Sequence, residues 1–242
     1  MDQPVDQPVG ALVSTESAKL PPGIELRGQF TGLRRLDPSH SMSLFKHLGG
    51  KENFWRWTYM MTSGFPSMDS CTEAIREWAE KQDPFFYSVY DGPLSDSASE
   101  PAGMVSYMAS ITDHRRIEIG SVILGEKLAK SRQATEAFYL FIQHAIEDLG
   151  YQRVEWKANA LNAPSLAAAT RLGFTFEGIF RKHMVIKGRR RDTAWFSITD
   201  DEWPAIKAGF VAWLDKDNFH DNGNQKRTLQ QCRLPNGTES MK

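Results

Sequence analysis

The feature that most constrains this chain is a strand, a helix and a second strand in close succession. Residues 117–120 alternate as a strand does, residues 135–149 have the pattern of a helix, and residues 153–157 predict another strand. A helix that connects two neighbouring strands of one sheet makes them run parallel. The helix N-terminus, with its unpaired N–H groups, then lies beyond the first strand, where it favours an anion. The sequence therefore predicts a parallel strand pair and an anion site in the polar turn at 129–134.

The rest of the chain predicts an α/β fold. Strand-like runs that precede this unit follow one another closely, which favours antiparallel pairing there. We therefore expect a mixed antiparallel/parallel sheet flanked by helices. The expected organisation is a flexible arm at residues 1–23, a single domain at 24–215 and a disordered tail at 216–242, where the sequence is polar with few apolar anchors.

The composition is typical of a globular protein that buries a sizeable core, with 40% hydrophobic and 24% charged residues among 242. No apolar run reaches the roughly 18–20 residues that a membrane span needs, and the first residues lack the pattern of a signal peptide. Two cysteines, Cys71 and Cys232, do not suggest a disulfide framework, and the six histidines lack metal-ligand spacing. We expect a cytoplasmic protein with no membrane partner and no metal site.

The charge is close to balanced overall but uneven along the chain. The net charge of −1 argues against a dedicated nucleic-acid binder. Between residues 115 and 192, however, 14 lysines and arginines face 8 acidic residues, which suits a polyanionic small ligand, although chance clustering on solvated faces would give the same count. The basic run at 187–192 could indicate RNA binding. Without interleaved aromatics it is more typical of a solvated hairpin, and we expect no nucleic-acid partner.

Six short motifs follow one another in a recognisable order. They are I-E-I-G at 117–120, T-E-A at 135–137, R-V-E-W-K at 153–157, N-A-P-S at 162–165, R-L-G-F-x-F-E-G at 171–178 and G-R-x-R-D-T-A-W-F-S-I at 188–198, followed by E-W at 202–203. Together they resemble the GNAT superfamily of N-acetyltransferases, most closely its branch that is similar to the RimJ/RimL ribosomal-protein acetyltransferases. The resemblance covers roughly residues 26–203. It implies the GNAT fold and transfer of an acetyl group from acetyl-CoA to a primary amine, by direct attack in a ternary complex.

The resemblance also implies where coenzyme A would bind. Its pantetheine arm is expected between the two parallel strands, with the thioester carbonyl near backbone N–H groups around Ile119 and Gly120. Its pyrophosphate is expected at the turn and first helical residues Lys130, Ser131, Arg132, Gln133, Ala134 and Thr135. The family's turn usually contains glycines that let the backbone approach the phosphates closely. This turn contains none, so side-chain contacts are expected to replace part of that role.

Transfer to an amine needs a group that takes up the amine's proton, and Glu118 is the leading candidate. It alternates with two isoleucines and so faces away from their side of the strand. If that side is the substrate cleft, partial burial would raise the pKa of Glu118 toward a useful range. The alternative is a solvent-facing glutamate that pairs with Arg116 or Arg153. Other candidates for the base are Asp113, His114, His183 and a chain of water molecules.

Asn162 and Ser165 form an N-x-x-S motif that predicts a helix start, with Asn162 as N-cap and Pro164 in the first turn. In enzymes similar to RimL, the matching asparagine contacts coenzyme A and the matching serine is proposed to protonate the leaving thiolate. Many other GNAT enzymes use a tyrosine on this helix, and this helix has none. We therefore assign Asn162 to the cofactor and Ser165 to the general acid, alongside their capping roles.

The acceptor is the least determined part of this assignment. The candidate substrate-binding residues are Trp55, Tyr59, His114 and His183; the two aromatic ones lie in a segment that core packing would explain equally well. We favour a small-molecule amine slightly over a peptide N-terminus, and leave monomer or homodimer open. The rival hypothesis is a non-catalytic acyl-CoA-binding protein, which the glycine-free turn and the missing tyrosine would suit.

Overall fold

The computed structural model describes residues 7–233. Within them, eight strands form one sheet in the order β1-β2-β3-β4-β5-β6-β8-β7. The strands are β1 (Leu26–Arg27), β2 (Gly32–Arg35), β3 (Phe85–Tyr90), β4 (Pro101–Ile111), β5 (Arg116–Leu124), β6 (Arg153–Asn159), β7 (Thr175–Ile186) and β8 (Arg189–Thr199). The helices are α1 (Ser41–Leu48), α2 (Met68–Glu80), α3 (Arg132–Gln143), α4 (Ala163–Leu172), α5 (Trp203–Leu214) and α6 (Leu229–Arg233). The α/β fold with a mixed sheet flanked by helices is confirmed.

Strands β5 and β6 form the parallel pair that the sequence predicted, and every other neighbouring pair in the sheet is antiparallel. Helix α3 connects them but begins at Arg132, three residues earlier than expected. The reason is local: Ser131 Oγ accepts a hydrogen bond from the N–H of Ala134 at 3.0 Å, which caps the helix. After α3 the backbone continues as a π-helical turn, His144–Asp148, before β6 begins.

The parallel pair separates partway along its length. Pairing runs from Arg116 with Arg153 to Ile119 with Trp156, and then stops. Beyond that point β5 continues along β4, and β6 continues along β8. Ser121 has a left-handed backbone (φ 51°) near a register shift between β4 and β5, and such a bulge bends its strand. The two strands therefore diverge toward their carboxyl ends and leave a gap in the sheet.

The two faces of the sheet are covered differently. On the face toward α3, the ring of Phe141 stacks on that of Tyr107 with centroids 3.7 Å apart, and both belong to the larger core cluster. On the opposite face, α1, α2 and Trp57 form a second core over β3, β4 and β5. Farther along this second face, β5 and β6 carry the charged side chains of Glu118 and Lys157 in place of apolar ones. The uncovered, polar stretch adjoins the gap.

The chain after α5 differs from the expected disordered tail. Residues 216–233 pack back on the domain: Leu229 and Cys232 of α6 are buried in the larger core, and Phe219 lies edge-on to Trp213. The apolar anchors here are few and widely spaced, so no periodic pattern revealed them. Residues 234–242 lie outside the described part.

From residue 7 to residue 25 the N-terminal segment forms no helix or strand. Two backbone–backbone hydrogen bonds attach it to the domain. The N–H of Ala18 donates to the Thr112 carbonyl at 3.1 Å, and the N–H of Lys19 donates to the Leu149 carbonyl at 2.8 Å. Residues 1–6 of the predicted arm lie outside the described part.

Candidate active site

A cavity of about 490 Å³ opens where β5 and β6 diverge. Side chains and backbone of β5 and β6 form one wall, and the segment after the 3₁₀ helix Lys51–Trp57 forms the other. Most of the lining is apolar or sulfur-bearing: Trp57, Met60, Met61, Trp78, Phe86, Met104 and Met108. A site of this size and character suits a small molecule with an apolar body.

The tip of the β7–β8 hairpin reaches across to this second wall. Lys187 Nζ donates a hydrogen bond to the carbonyl of Trp57 at 2.8 Å, although 130 residues separate them in sequence. Burial lowers the pKa of Lys187. Trp57 is held in turn by its indole Nε1, which donates to the Leu48 carbonyl at 3.0 Å. These contacts tie the hairpin, the front segment and α1 together around the cavity.

Glu118 lies at the polar end of the cavity. It is 8% exposed, and its Oε2 accepts a hydrogen bond from Lys157 Nζ at 2.8 Å. Burial raises the pKa of Glu118, and the attraction of Lys157 only partly opposes that effect. Its Oε1 accepts no hydrogen bond from any described residue, which leaves one carboxylate oxygen for a ligand.

A neighbouring carboxylate behaves differently. Lys157 Nζ lies 2.8 Å from Glu155 Oε2 as well, and Arg153 Nε donates to Glu155 Oε1 at 2.9 Å. Burial acts to raise the pKa of Glu155, but these two cations outweigh it and hold that pKa below the ordinary value. Of the two carboxylates, Glu118 is therefore the one whose proton affinity suits a base. The sequence-based alternative of pairing between Glu118 and Arg116 or Arg153 is not what the structure shows, since both arginines pair with Glu155.

Ser165 and Asn162 lie on the same cavity as Glu118. Asn162 is the N-cap of α4, and its Oδ1 accepts from the N–H of Ser165 at 3.4 Å. Ser165 Oγ accepts a hydrogen bond from Trp156 Nε1 at 3.0 Å. Because the indole supplies the proton of that contact, the serine's own O–H remains available to a group in the cavity.

Ile119 and Gly120 line the cavity where pairing to β6 has ended. The backbone N–H and C=O groups of β5 that face the gap therefore form no hydrogen bonds to β6 beyond this point. A Cβ added at Gly120 would lie 2.3 Å from Met108 Sδ, so a larger residue there would require the methionine side chain to move.

The expected phosphate turn lies at the start of α3, outside the cavity lining. Lys130 has the left-handed φ of 60° that glycine adopts most easily, which shows how the turn forms without one. No described residue accepts a hydrogen bond from the backbone N–H of Lys130, Arg132 or Gln133, so these donors point to no protein partner. The side chain of Arg171 adds positive charge nearby, with its Nη1 donating to Thr135 Oγ1 at 3.1 Å.

The side chain of Arg132 is engaged elsewhere. Its guanidinium lies 3.5 Å from the ring centroid of Phe219 and 4.7 Å from that of Phe30. This stacking joins the C-terminal segment to the start of α3. The side chain of Gln133 likewise contacts the Asp91 carbonyl, at 3.5 Å.

Two of the four predicted substrate residues line the cavity, Tyr59 and His183. The other two do not. Trp55 is 65% exposed and packs under the guanidinium of Arg56, on the outer side of its 3₁₀ helix. His114 lies in the turn before β5, at the opposite end of the strand from the gap, and so does Asp113, which accepts from Ser17 Oγ at 2.7 Å. The structure therefore does not support Trp55 or His114 as substrate residues, or Asp113 as base.

Lys157 and Arg191 are polar lining residues that the sequence analysis missed. A signal for Lys157 was present, because in R-V-E-W-K it alternates with Val154 and Trp156 and falls on the same face as Glu155. Arg191 belongs to the basic run at 187–192, whose sequence is typical of a solvated hairpin. Only the packing of β8 against β6 reveals that it faces the cavity.

Residues 31–175 match the acetyltransferase (GNAT) domain family. A solved GCN5-related N-acetyltransferase from Brucella melitensis is 37% identical, with a TM-score of 0.86 over 90% of this chain and 97% of that one. A solved GNAT-family protein from Chromobacterium violaceum is 34% identical, with a TM-score of 0.74 over 84% of this chain and 100% of that one.

Among curated proteins, YdaF of Bacillus subtilis (strain 168) is 27% identical over 181 residues, which are 72% of this chain and 94% of YdaF. YdaF is named as a candidate ribosomal N-acetyltransferase. The expected similarity to the RimJ/RimL branch is thereby confirmed. Within residues 7–233, no helix is both long and apolar enough to cross a membrane.

Proposed function

The chain belongs to the GNAT family of acetyltransferases, and we propose that it moves the acetyl group of acetyl-CoA to a primary amine by direct attack within a ternary complex. The observation that supports this most is the divergence of β5 and β6 after Ile119 and Trp156. That gap has unpartnered backbone along its edges and opens into the cavity that contains Glu118 and Ser165. The family generally uses acetyl-CoA, and the gap is where a thioester-bearing arm would fit.

The residues of this chain suit both the pyrophosphate and the thioester-bearing arm of acetyl-CoA. The free N–H groups of Lys130, Arg132 and Gln133, at the positive end of α3, suit the pyrophosphate. Asn162 suits the pantetheine arm beside the gap. The backbone at Ile119 and Gly120 is the candidate for stabilising the oxyanion that forms when the amine attacks the thioester carbonyl.

Proton transfers complete the reaction. The amine nitrogen forms a bond to the carbonyl carbon, the carbon–sulfur bond breaks, and the amine's proton passes to Glu118, directly or through water. Glu118 is suited to this step because its burial raises its pKa and one of its oxygens is free. Ser165 donates its hydroxyl proton to the leaving thiolate and recovers a proton from solvent.

The acceptor that we favour is a small-molecule amine. The cavity is about 490 Å³, mostly apolar, and bridged by the contact between Lys187 and Trp57, which leaves less room for an extended chain. A peptide N-terminus is the second candidate, because YdaF, a relative over most of its length, is named as a candidate ribosomal N-acetyltransferase.

A thiol-release assay with acetyl-CoA and a panel of small amines and short peptides tests this proposal. We expect release that depends on the amine and exceeds background hydrolysis. Thermal melting with and without acetyl-CoA serves as a parallel readout. A raised melting temperature without amine-dependent thiol release would favour the non-catalytic binding protein instead.

A further inference from the structure

The charged side chains in and beside the cavity do not all have partners. Glu118 lines the cavity, and Glu155 and Glu177 lie outside the lining in the same network of ion pairs, in which three cations pair with these carboxylates. Those pairs are Lys157 with Glu118 and Glu155 at 2.8 Å each, Arg116 with Glu155 at 3.6 Å, and Arg153 with Glu155 at 2.9 Å and Glu177 at 2.5 Å. A fourth cation, Arg191, has no carboxylate within 4.0 Å among the described residues. Arg191 is therefore a cation of the cavity lining that no carboxylate of the described residues neutralises.

Arg191 is positioned so that the two terminal nitrogens of its guanidinium make no hydrogen bond to a described residue. It lies on β8 opposite Met184 of β7, lines the cavity and is half-buried. Its Nε donates a hydrogen bond to Thr193 Oγ1 at 3.1 Å, and that hydroxyl also contacts His183 Nδ1 at 3.0 Å. The two terminal nitrogens of Arg191 donate to no described residue. The side chain is thus fixed at Nε while both Nη groups remain unpaired.

A half-buried guanidinium without a partner suits a planar anion. Burial lowers the pKa of Arg191 while the charge of Glu118 raises it, so the two groups influence each other across the same face without forming an ion pair. A carboxylate binds a guanidinium through two parallel hydrogen bonds, which is the contact that two free Nη groups offer. Glu118, with its free Oε1, offers the complementary site for the amino group.

We propose that the acceptor is an amine that also carries a carboxylate, with an apolar body, and that Arg191 is the residue that selects it. An α-amino acid with a large apolar side chain has this combination. Its neutral amino group would meet Glu118, its carboxylate would meet Arg191, and its side chain would lie among the methionines and aromatics of the cavity. This inference rests on the proposed acetyltransferase function and narrows its substrate class.

The test is a comparison of matched acceptors that differ only in the carboxylate. The pairs are L-phenylalanine with 2-phenylethylamine and L-leucine with isoamylamine, with L-phenylalaninamide and a short Phe-initiated peptide as further arms. We expect the wild-type protein to favour each acid over its decarboxylated partner by at least tenfold in kcat/KM. In Arg191→Gln that preference should fall at least tenfold, while the affinity for acetyl-CoA should stay within twofold. Arg190→Gln is the control, because Arg190 is exposed and pairs with Asp192 at 3.2 Å; it should keep the wild-type preference.

The outcomes separate this inference from the proposal on which it rests. If the wild type acetylates the decarboxylated amines or the peptide as well as the acids, or Arg191→Gln keeps the preference, the carboxylate role is wrong and the acetyltransferase function stands. If Arg191→Gln instead weakens acetyl-CoA binding, Arg191 serves the donor. If no acceptor in the panel releases thiol above background, the proposed function itself fails. Melting curves of each variant show whether a loss reflects misfolding.

Discussion

The two sides of the β5–β6 pair are built from different chemistry. Toward α3, Ile117, Ile119 and Val154 are almost fully buried in the larger core. On the other side, the same strands carry Glu118 and Lys157, which are also largely buried but ion-paired beside a cavity. Apolar burial stabilises a fold, whereas a buried ion pair contributes little net stability because desolvation offsets its attraction. We infer that the side toward α3 contributes most of the folding stability of this strand pair, and that the side toward the cavity contributes the groups that could take part in the reaction.

The sharpest way to break this comparison is to change the charge of the candidate base while keeping its shape. Glu118→Gln should lower kcat/KM by about 10²–10⁴-fold, because the variant cannot accept the amine's proton. A thiol-release assay measures the loss, and Glu126→Gln, at an exposed glutamate just after β5, is the control. Acetyl-CoA affinity and melting temperature should change little. A wild-type rate would remove Glu118 from the mechanism.

We also expect Glu118→Gln to change the pH dependence of kcat/KM. A base acts when it is deprotonated, so kcat/KM of the wild type should rise with pH through the pKa of Glu118. Because burial raises that pKa, the midpoint should lie above the ordinary glutamate value of about 4.3. Glu118→Gln should lack this rise, and an unchanged profile would assign it to another group.

On the α3 side, the expected effect is on stability alone. Phe141→Ala should lower the free energy of unfolding by about 3–5 kcal/mol, since it removes a buried ring that stacks on Tyr107. Urea denaturation measures this loss. Met42→Ala, at a side chain that is 77% exposed, should change stability by no more than about 0.5 kcal/mol. The folded Phe141→Ala protein should keep its kcat/KM at low temperature, and a large loss there would show that the two sides are coupled.

Lys157→Met should affect both properties and so sharpen the comparison. The substitution leaves Glu118 without its cation, and we expect it to lower the free energy of unfolding by about 3 kcal/mol. This is the lower end of the range for a broken buried ion pair, because Arg153 still pairs with Glu155. Since Lys157 acts to lower the pKa of Glu118, its removal should move the pH–rate rise to higher pH. The stability difference from wild type should widen as pH rises and Glu118 ionises. A constant difference across pH would mean that lost packing, and not charge, explains the change.

The smallest expected effect is at the general acid. Ser165→Ala should lower the rate by no more than about 10²-fold, because a thiolate leaves readily even without a proton donor. It should also cost about 1 kcal/mol, since Trp156 Nε1 loses its acceptor. Ser67→Ala is the matched control: it removes the N-cap of α2, away from the cavity, at a similar cost in stability. If both variants lose stability and neither loses rate, the role of Ser165 is structural.

Much of the frame could be predicted because local patterns specify it. Alternation at 117–119 and 153–157 placed the isoleucines and Glu118 on opposite faces, and N-x-x-S predicted the start of α4. The positions of the candidate substrate residues depend on long-range packing. Trp55 lies on the outer side of its 3₁₀ helix and His114 at the far end of β5, so neither lines the cavity.

By itself the sequence determined the strand–helix–strand unit, the N-cap at Asn162 and the apolar faces, since each depends on residues within a few positions of one another. The tertiary structure alone decided where the pairing of β5 with β6 ends and which of the buried charges form ion pairs. It also decided that Arg191 lines the cavity with its two Nη groups unpaired. The reason is that charge pairing and burial depend on distances between side chains from different strands. Strand alternation fixes the face on which a residue lies, and only the packed sheet fixes its neighbours.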